Sequence, residues 1–348
     1  NATELRSCKV KKFKQAAIRI ITAAVLTTIS IYVFAPWEFG LYYLKPTPDT
    51  IEQELANAVD ERLDGIIVYV DRNGEPPEFY AEGFHNRNAK TPADPRALFK
   101  IASIGKLYDA SAVVKLVAKK TLSLDKTLAE YMPELSERIQ YADKITLRMM
   151  IQHRSGIPNF TDVEEFDWSK SNIDGLALIL DKPADFEPDT DYNYSNTNYL
   201  LLHRIMTKAL GYDYGRFIKQ EMLLPLGIED TYMSVNEVNQ DKVMSGYYIG
   251  YPDDFKYLDQ GMISTAEAVG KFVRALNDGS LFTEEEAEIY QGLYKYQHDG
   301  WVLGYWSRAR YYADIDTVVV QFVNTTGDDT LLLSQIVHNR IVDIIRKR

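Results

Sequence analysis

Strand-like segments stand at both ends of this chain and a long helix-like stretch lies between them. Residues 65–71 (Gly-Ile-Ile-Val-Tyr-Val-Asp) are β-branched and apolar, and Asn73-Gly74 then supplies a turn. Residues 78–84 run back as a second strand. Near the other end, 300–312 alternates large aromatic and polar residues, and 317–323 (Thr-Val-Val-Val-Gln-Phe-Val) reads as a buried strand. A closing helix over 330–348 ends in basic residues, which suit a helix C-terminus. Between these ends, helical periodicity is expected over 107–119, 146–153, 174–180, 198–209, 214–222 and 265–277, with 51–63 preceding the first strand. The pattern predicts an α/β (α+β) fold: one antiparallel sheet built from both chain ends, flanked by helices, with an all-helical lobe inserted at about 107–277.

Ahead of that body, residues 20–37 form an uncharged run of mostly Ile, Ala, Val, Leu, Thr and Phe, long enough to span a bilayer. Arg6, Lys9, Lys11, Lys12, Lys14 and Arg19 precede it, which places that side in the cytoplasm. Tyr32, Trp37, Tyr42 and Tyr43 suit the opposite interface. The expected organisation is a basic tail (1–19), a transmembrane anchor (20–37), a linker with Pro46 and Pro48 (38–50) and one domain (51–348). The domain then lies on the extracytoplasmic side of the cytoplasmic membrane. A signal peptide cleaved at Val33-Phe34-Ala35 would instead release it, although Pro36 directly follows that site.

Composition narrows the function. Residues 1–45 carry a net charge of +5, so the remainder carries −16 of the chain's total of −11. A body this acidic excludes nucleic acid as a natural partner. The one cysteine, Cys8, permits neither an internal disulfide nor a cysteine metal site. The histidines at 85, 153, 203 and 338 have no metal-ligand spacing, and His153, ahead of Ser155-Gly156, reads as a helix-ending structural residue.

Three local patterns carry chemistry. Leu98-Phe99-Lys100-Ile101-Ala102-Ser103 leads into a helix that contains Lys106. Serine and lysine three apart share one helical face, so the amine reaches the hydroxyl and can activate it as a nucleophile. The same spacing recurs at Ser123–Lys126, in a polar stretch without an apolar lead-in. Tyr194-Ser195-Asn196 is the only Tyr-x-Asn; beside an ammonium, its phenol can serve as a base, and Asn196 can hold the lysine or a substrate amide. His298-Asp299-Gly300 is the only His-x-Gly and opens the C-terminal strand pair. The histidine offers a donor or a cation on the far wall of a cleft, and the glycine allows close backbone approach.

In this order, Ser-x-x-Lys, Tyr-x-Asn and Lys/His-x-Gly resemble the motifs of the serine β-lactamase and penicillin-binding-protein superfamily, in its class C β-lactamase, D-alanyl-D-alanine carboxypeptidase and esterase branch. The similarity runs from about Gly65 to Val323 and includes residues 147–158, 225–231, 261–265 and Gly304-Tyr305. It implies a membrane-anchored serine hydrolase cleaving amide or ester bonds through an acyl-enzyme on Ser103. Lys106 and Tyr194 would share the base work, and Tyr194 would protonate the leaving group. Backbone N–H groups of Ser103 and Trp301 would form the oxyanion hole, and Asn196, His298, Asp299, Gly300 and Trp301 would contact substrate. No metal or organic cofactor is implied. The substrate would be a small acyl, peptide or ester compound, cell-wall fragments included. Alternatives are a β-lactamase and a catalytically silent penicillin-binding-like module. Asp299 departs from the hydroxyl residue found there in many carboxylate-recognising members. Facing the cleft, it would repel a substrate carboxylate; facing away, it would have no such effect. Trp301, Tyr305 and Trp306 suggest an aromatic cleft wall.

Overall fold

The computed structural model describes residues 2–34, 37–171 and 173–348; Ala35 and Pro36 of the expected cleavage site lie outside them. The chain divides into two units, residues 1–46 and 47–348. The first holds α1 (Ala2–Phe34) and α2 (Trp37–Leu44). Within α1, Lys14–Val33 has a mean hydropathy of 1.8 and no buried part, so by length and composition it suits a membrane span or a signal sequence.

The second unit begins with α3 (Ile51–Glu61), whose N-terminus is capped by the Thr50 side chain accepting from the Gln53 N–H. Then follow β1 (Gly65–Arg72), β2 (Glu78–Asn86), β3 (Thr91–Pro92) and β4 (Phe99–Lys100). The middle carries α4 (Gly105–Ala118), α5 (Leu128–Tyr131), α6 (Leu147–Ile151), α7 (Asn196–Leu210), α8 (Tyr214–Ile218), β5 (Thr231–Tyr232), β6 (Tyr247–Tyr248), β7 (Ile263–Ser264), α9 (Ala266–Asp278) and α10 (Glu284–Tyr290). The chain closes with β8 (His298–Val302), β9 (Tyr305–Tyr312), β10 (Thr317–Val323), β11 (Thr325–Thr326) and α11 (Thr330–Arg346).

Both chain ends build the main sheet, in the order β3-β2-β1-β10-β9-β8. Its pairings are antiparallel, with Val68 opposite Gln321 at the seam where the two ends meet. Alternation along the strands sends Ile67, Tyr69, Val318, Val320 and Phe322 into one large core shared with α4 and α9. On the other face, α3 and α11 pack together and cover β1, β2 and β10. A short second sheet, β4-β7-β5, fixes the segment that leads to Ser103. The mixed α/β architecture expected from the sequence is present.

Two local expectations fail. In the segment 174–180, residues 175–180 form consecutive turns rather than a helix. Asp174 Oδ1 accepts from the N–H groups of Leu176 and Ala177, and burial of Leu176 and Ile179 holds the segment without a propagated helical ladder. Tyr305 and Trp306 are buried rather than lining a cleft. Tyr305 donates its hydroxyl to the Met244 carbonyl (2.7 Å) and sits edge-on to Phe99, inside the core.

Candidate active site

Ser103 lies in a single 3₁₀ turn, Ala102–Ile104, between β4 and α4. Ala102 has φ of 49°, a left-handed conformation that costs a residue bearing a Cβ about 1–3 kcal/mol. Neighbouring strands hold that bend in place. The Ile101 N–H donates to the Met262 carbonyl (3.0 Å), and the Ile101 carbonyl accepts from Ser307 Oγ of β9 (2.9 Å). Gly300 of β8 passes so close that a Cβ there would collide with the Ile101 carbonyl and Ser307 Oγ. That contact accounts for the glycine in the third pattern.

Lys106 follows in the first turn of α4, so the Ser-x-x-Lys spacing bridges a 3₁₀ turn and an α-helix. Its Nζ lies 3.1 Å from Ser103 Oγ and donates to Asn196 Oδ1 at 2.8 Å. The Tyr194 hydroxyl is 2.7 Å from Ser103 Oγ on another side. Lys106 Nζ also lies 5.0 and 5.1 Å from the ring centroids of Tyr194 and Tyr199, which favours the cation electrostatically. Ser123–Lys126 takes no part: the Ser123 N–H donates to the Tyr131 hydroxyl, and Lys126 lies over the Tyr131 ring.

Residues distant in sequence orient these groups. Asn196 opens α7; its N–H donates to Asn159 Oδ1 (3.0 Å) and its Nδ2 to Thr161 Oγ1 (3.3 Å), which leaves Oδ1 for Lys106. His153 stacks against Tyr194, centroids 4.3 Å apart, and its Nδ1 accepts the Ser195 N–H at 3.1 Å. That bond fixes the tautomer with the proton on Nε2. Burial first, then the Lys106 charge, pushes the His153 pKa down to about 3, so the ring is neutral at neutral pH. The helix-ending His153 of the sequence therefore also forms the backing of Tyr194, a role without a local sequence signal.

His298 is buried, with its ring centroid 6.5 Å from that of Tyr194. Burial lowers its pKa to about 4, so of the two expected roles the cation is excluded and a neutral imidazole remains. Asp299 sits opposite Arg308 in the β8–β9 register, on the strand face opposite that of His298 and Gly300. Its carboxylate takes Arg308 Nε and Nη2 at 3.0 and 2.9 Å and Arg310 Nη2 at 2.7 Å. The anticipated repulsion of a substrate carboxylate therefore does not operate. Asp299 points away from the Ser103 turn, and two guanidiniums more than neutralise it. Trp301 is half-buried, and Trp168 from the 159–171 loop meets it edge-on at 5.5 Å. Trp168 thus joins Trp301 in place of the two aromatics drawn inward. Among the described residues, no group of three or more His, Cys, Asp or Glu side chains is placed to hold a metal ion.

Comparison with known proteins places the chain in a family and a fold. The matching family model is Beta-lactamase, over residues 49–294. Penicillin-binding protein 4* of Bacillus subtilis (strain 168) is 27% identical over 178 residues, covering 49% of this chain and 38% of that protein. Esterase EstB of Burkholderia gladioli is 26% identical over 234 residues, covering 62% of this chain and 58% of that one. The chain therefore matches less than two thirds of the length of either relative. Among solved structures, the D-amino acid amidase from Ochrobactrum anthropi SV3 complexed with L-phenylalanine amide superposes with a TM-score of 0.74 at 22% identity, over 85% of this chain and 97% of that one. The penicillin binding protein from Bacillus halodurans gives 0.71 at 20% identity, over 83% and 98%. With more than half of its length matched by the family model, the chain belongs to the beta-lactamase family.

Proposed function

We propose that this protein is a serine hydrolase that cleaves amide or ester bonds through an acyl-enzyme on Ser103. The observation that carries the reading is the convergence of Lys106 Nζ and the Tyr194 hydroxyl on Ser103 Oγ, at 3.1 and 2.7 Å. Fully protonated, both groups donate to the serine. With one proton removed from the pair, as phenolate beside ammonium or phenol beside amine, the pair accepts the Ser103 proton as Oγ attacks the carbonyl carbon. The C–O or C–N bond to the leaving group then breaks, and Tyr194 returns the proton to it. Water, deprotonated by the same pair, then attacks the acyl carbon; the C–Oγ bond breaks, and the pair returns the proton to Ser103 Oγ. Backbone N–H groups of Ser103 and Trp301 serve as the oxyanion hole. Asn196 holds Lys106 toward Ser103, and the neutral His153 and His298 add no competing charge.

The edge position of β8 supports a peptide-like substrate lying along its unpaired side, with Trp168 and Trp301 as an apolar lip. Relatives named as an esterase and a D-amino acid amidase favour ester and amino-acid amide substrates. The apolar stretch of α1, with the basic residues ahead of it, supports a single-pass anchor with this domain outside the cytoplasmic membrane. Intact-mass analysis after exposure to a fluorophosphonate and to a penicillin tests the reading, with Ser103→Ala as control. A stoichiometric adduct that vanishes in the variant is expected with the fluorophosphonate. A stable penicillin adduct would move the assignment toward a penicillin-binding enzyme, and no adduct with either probe would overturn it in favour of a silent binding module.

A further inference from the structure

Lys100 stands in β4, three residues ahead of Ser103, and its side chain is fully buried. Among the described residues no carboxylate lies within ion-pair distance of its ammonium. Its Nζ donates instead to the Phe255 carbonyl at 2.5 Å and to the Leu258 carbonyl at 2.6 Å, and it lies 5.0 Å from the Tyr305 ring centroid. A charge kept in a core without a counter-ion is costly. Methionine, of similar length, would escape that cost but leave residues 255–258 unfastened.

The two carbonyls belong to a single 3₁₀ turn, Phe255–Tyr257, and its closing residue. From that turn the chain runs through Met262 into β7, where Ile263 is paired with Lys100 itself. Met262 touches the Ser103 turn on both sides. Its carbonyl accepts the Ile101 N–H (3.0 Å), and its Sδ packs over Gly105, 3.0 Å from where a Cβ would stand. Between those contacts lie Ser103 and Ala102, the latter with its left-handed φ of 49°. A strained residue keeps its conformation only where its surroundings over-determine it. Lys100 fastens the segment that does so here.

Burial pushes the Lys100 pKa down to about 7, against the Asp254 and Asp259 charges, which raise it. Both carboxylates are engaged elsewhere: Asp254 Oδ1 accepts from the Gly246 and Lys256 N–H groups, and Asp259 Oδ2 from the Ser234 hydroxyl and Asn236 Nδ2. On β9, Tyr305 is held neutral by burial and donates to the Met244 carbonyl, while the Lys256 ammonium lies over the Tyr257 ring. The Lys100 ammonium is therefore present below about pH 7 and gives way to an amine above it. The amine can donate to the same carbonyls, but without charge assistance such bonds are about half as strong.

We propose that Lys100 is a positioning residue for acylation of Ser103: its charged bonds to the Phe255 and Leu258 carbonyls hold the 255–262 segment as a brace on the Ser103 turn. The inference rests on the acyl-enzyme reading above and adds to it a residue that touches neither substrate nor nucleophile.

The test measures the second-order rate of fluorophosphonate labelling of the full chain across the neutral range, for the parent, Lys100→Gln and Lys100→Met. Glutamine keeps a neutral N–H donor that cannot titrate, and methionine keeps the length without a donor. Titration of Lys106 and Tyr194 is common to all three and cancels in rate ratios. One pH unit below the Lys100 midpoint, the parent should react about tenfold faster than Lys100→Gln and about a hundredfold faster than Lys100→Met. More than one unit above it, the parent should come within about threefold of Lys100→Gln. A parent-to-glutamine ratio that is constant with pH, or within about twofold on the acid side, overturns the proposal while leaving acyl-enzyme chemistry intact. No labelling of the parent at any pH, seen by intact mass, refutes the hydrolase reading instead. A second arm keeps Lys100 in place and needs no chemistry: NMR of Ser103→Ala follows the Lys100 side-chain carbon next to the amine and the Gly105 amide as pH rises. A Gly105 shift with the same midpoint as Lys100 upholds the brace. A Gly105 amide that ignores that titration, or a Lys100 that does not titrate in the neutral range, overturns it.

Discussion

Gly300→Ala tests whether the third motif is held by steric necessity. The added Cβ would collide with the Ile101 carbonyl and with Ser307 Oγ, and it would come within 3.1 Å of Ala102 Cβ. Ile101 and Ser307 already share a buried hydrogen bond of 2.9 Å, so the methyl lands on that bond. One colliding atom belongs to the backbone, and a rotamer change cannot relieve it. Overpacking costs about 1–3 kcal/mol, and loss of the buried Ser307 bond adds about 1–3 kcal/mol, so a destabilisation of about 2–6 kcal/mol is expected. The alternative to that strain is displacement of β8 by about 1 Å, which moves the Trp301 N–H relative to Ser103 and slows acylation by about a hundredfold. Urea unfolding reads the first quantity, and the second-order rate of fluorophosphonate labelling reads the second. The double variant Gly300→Ala/Ser307→Ala removes one of the two collisions and should be more stable than Gly300→Ala alone, yet remain slow. A single variant within about 0.5 kcal/mol of the parent and within threefold in labelling rate refutes the reasoning.

Tyr194→Phe removes the hydroxyl bonded to Ser103 but keeps the ring against His153, so labelling should slow by about 10²–10⁴ while stability changes by less than about 1 kcal/mol, as stopped-flow labelling and urea unfolding would report. Asp299→Asn leaves two guanidiniums facing one another; since about a third of the carboxylate meets solvent, a loss of about 1–3 kcal/mol is expected in the urea midpoint, and an unchanged midpoint would show that the cluster contributes nothing. The histidines set an acid dependence. With native pKa values of about 3 and 4 at His153 and His298, the unfolded chain binds protons below pH 6.5 that the native state excludes, so stability falls as pH drops from about 6.5 toward 4. Each contributes a slope of about 1.4 kcal/mol per pH unit. His338, also pushed well below its ordinary value by burial, adds to it. His298→Gln should flatten the unfolding free energy measured between pH 7 and 5, and an unaltered profile would count against a neutral buried imidazole.

Local pattern carried much of this fold and site. The strands 65–71 and 317–323 announce themselves by unbroken β-branched runs, and they meet as β1 and β10 at the centre of the sheet. Ser103 and Lys106 were legible because a spacing of three puts their side chains on one face. Tyr194 and Asn196 lie on a single turn that the fold carries to that face. What stayed hidden depends on contacts between segments distant in sequence. Nothing near His153 signals that Tyr194 packs on it, because the two are joined only by the loop path around α6 and α7. Trp168 reaches Trp301 across more than a hundred residues. Residues 174–180 have the composition of a helix, but Leu176 and Ile179 are the large side chains they bury, and turns meet that demand.

Asp299 illustrates how strand phase decides chemistry. The motif fixes that His298, Asp299 and Gly300 are consecutive, so alternate side chains take opposite faces of β8. Gly300 must face the Ser103 turn, because Ile101 and Ser307 leave no room for a Cβ there. His298 then shares that face, and Asp299 is assigned to the other, where register delivers Arg308 from nine residues further on. A threonine at 299 would occupy the same phase and leave Arg308 and Arg310 without their shared counter-charge. The aspartate is therefore better understood as the partner those two arginines require than as a determinant aimed at the substrate.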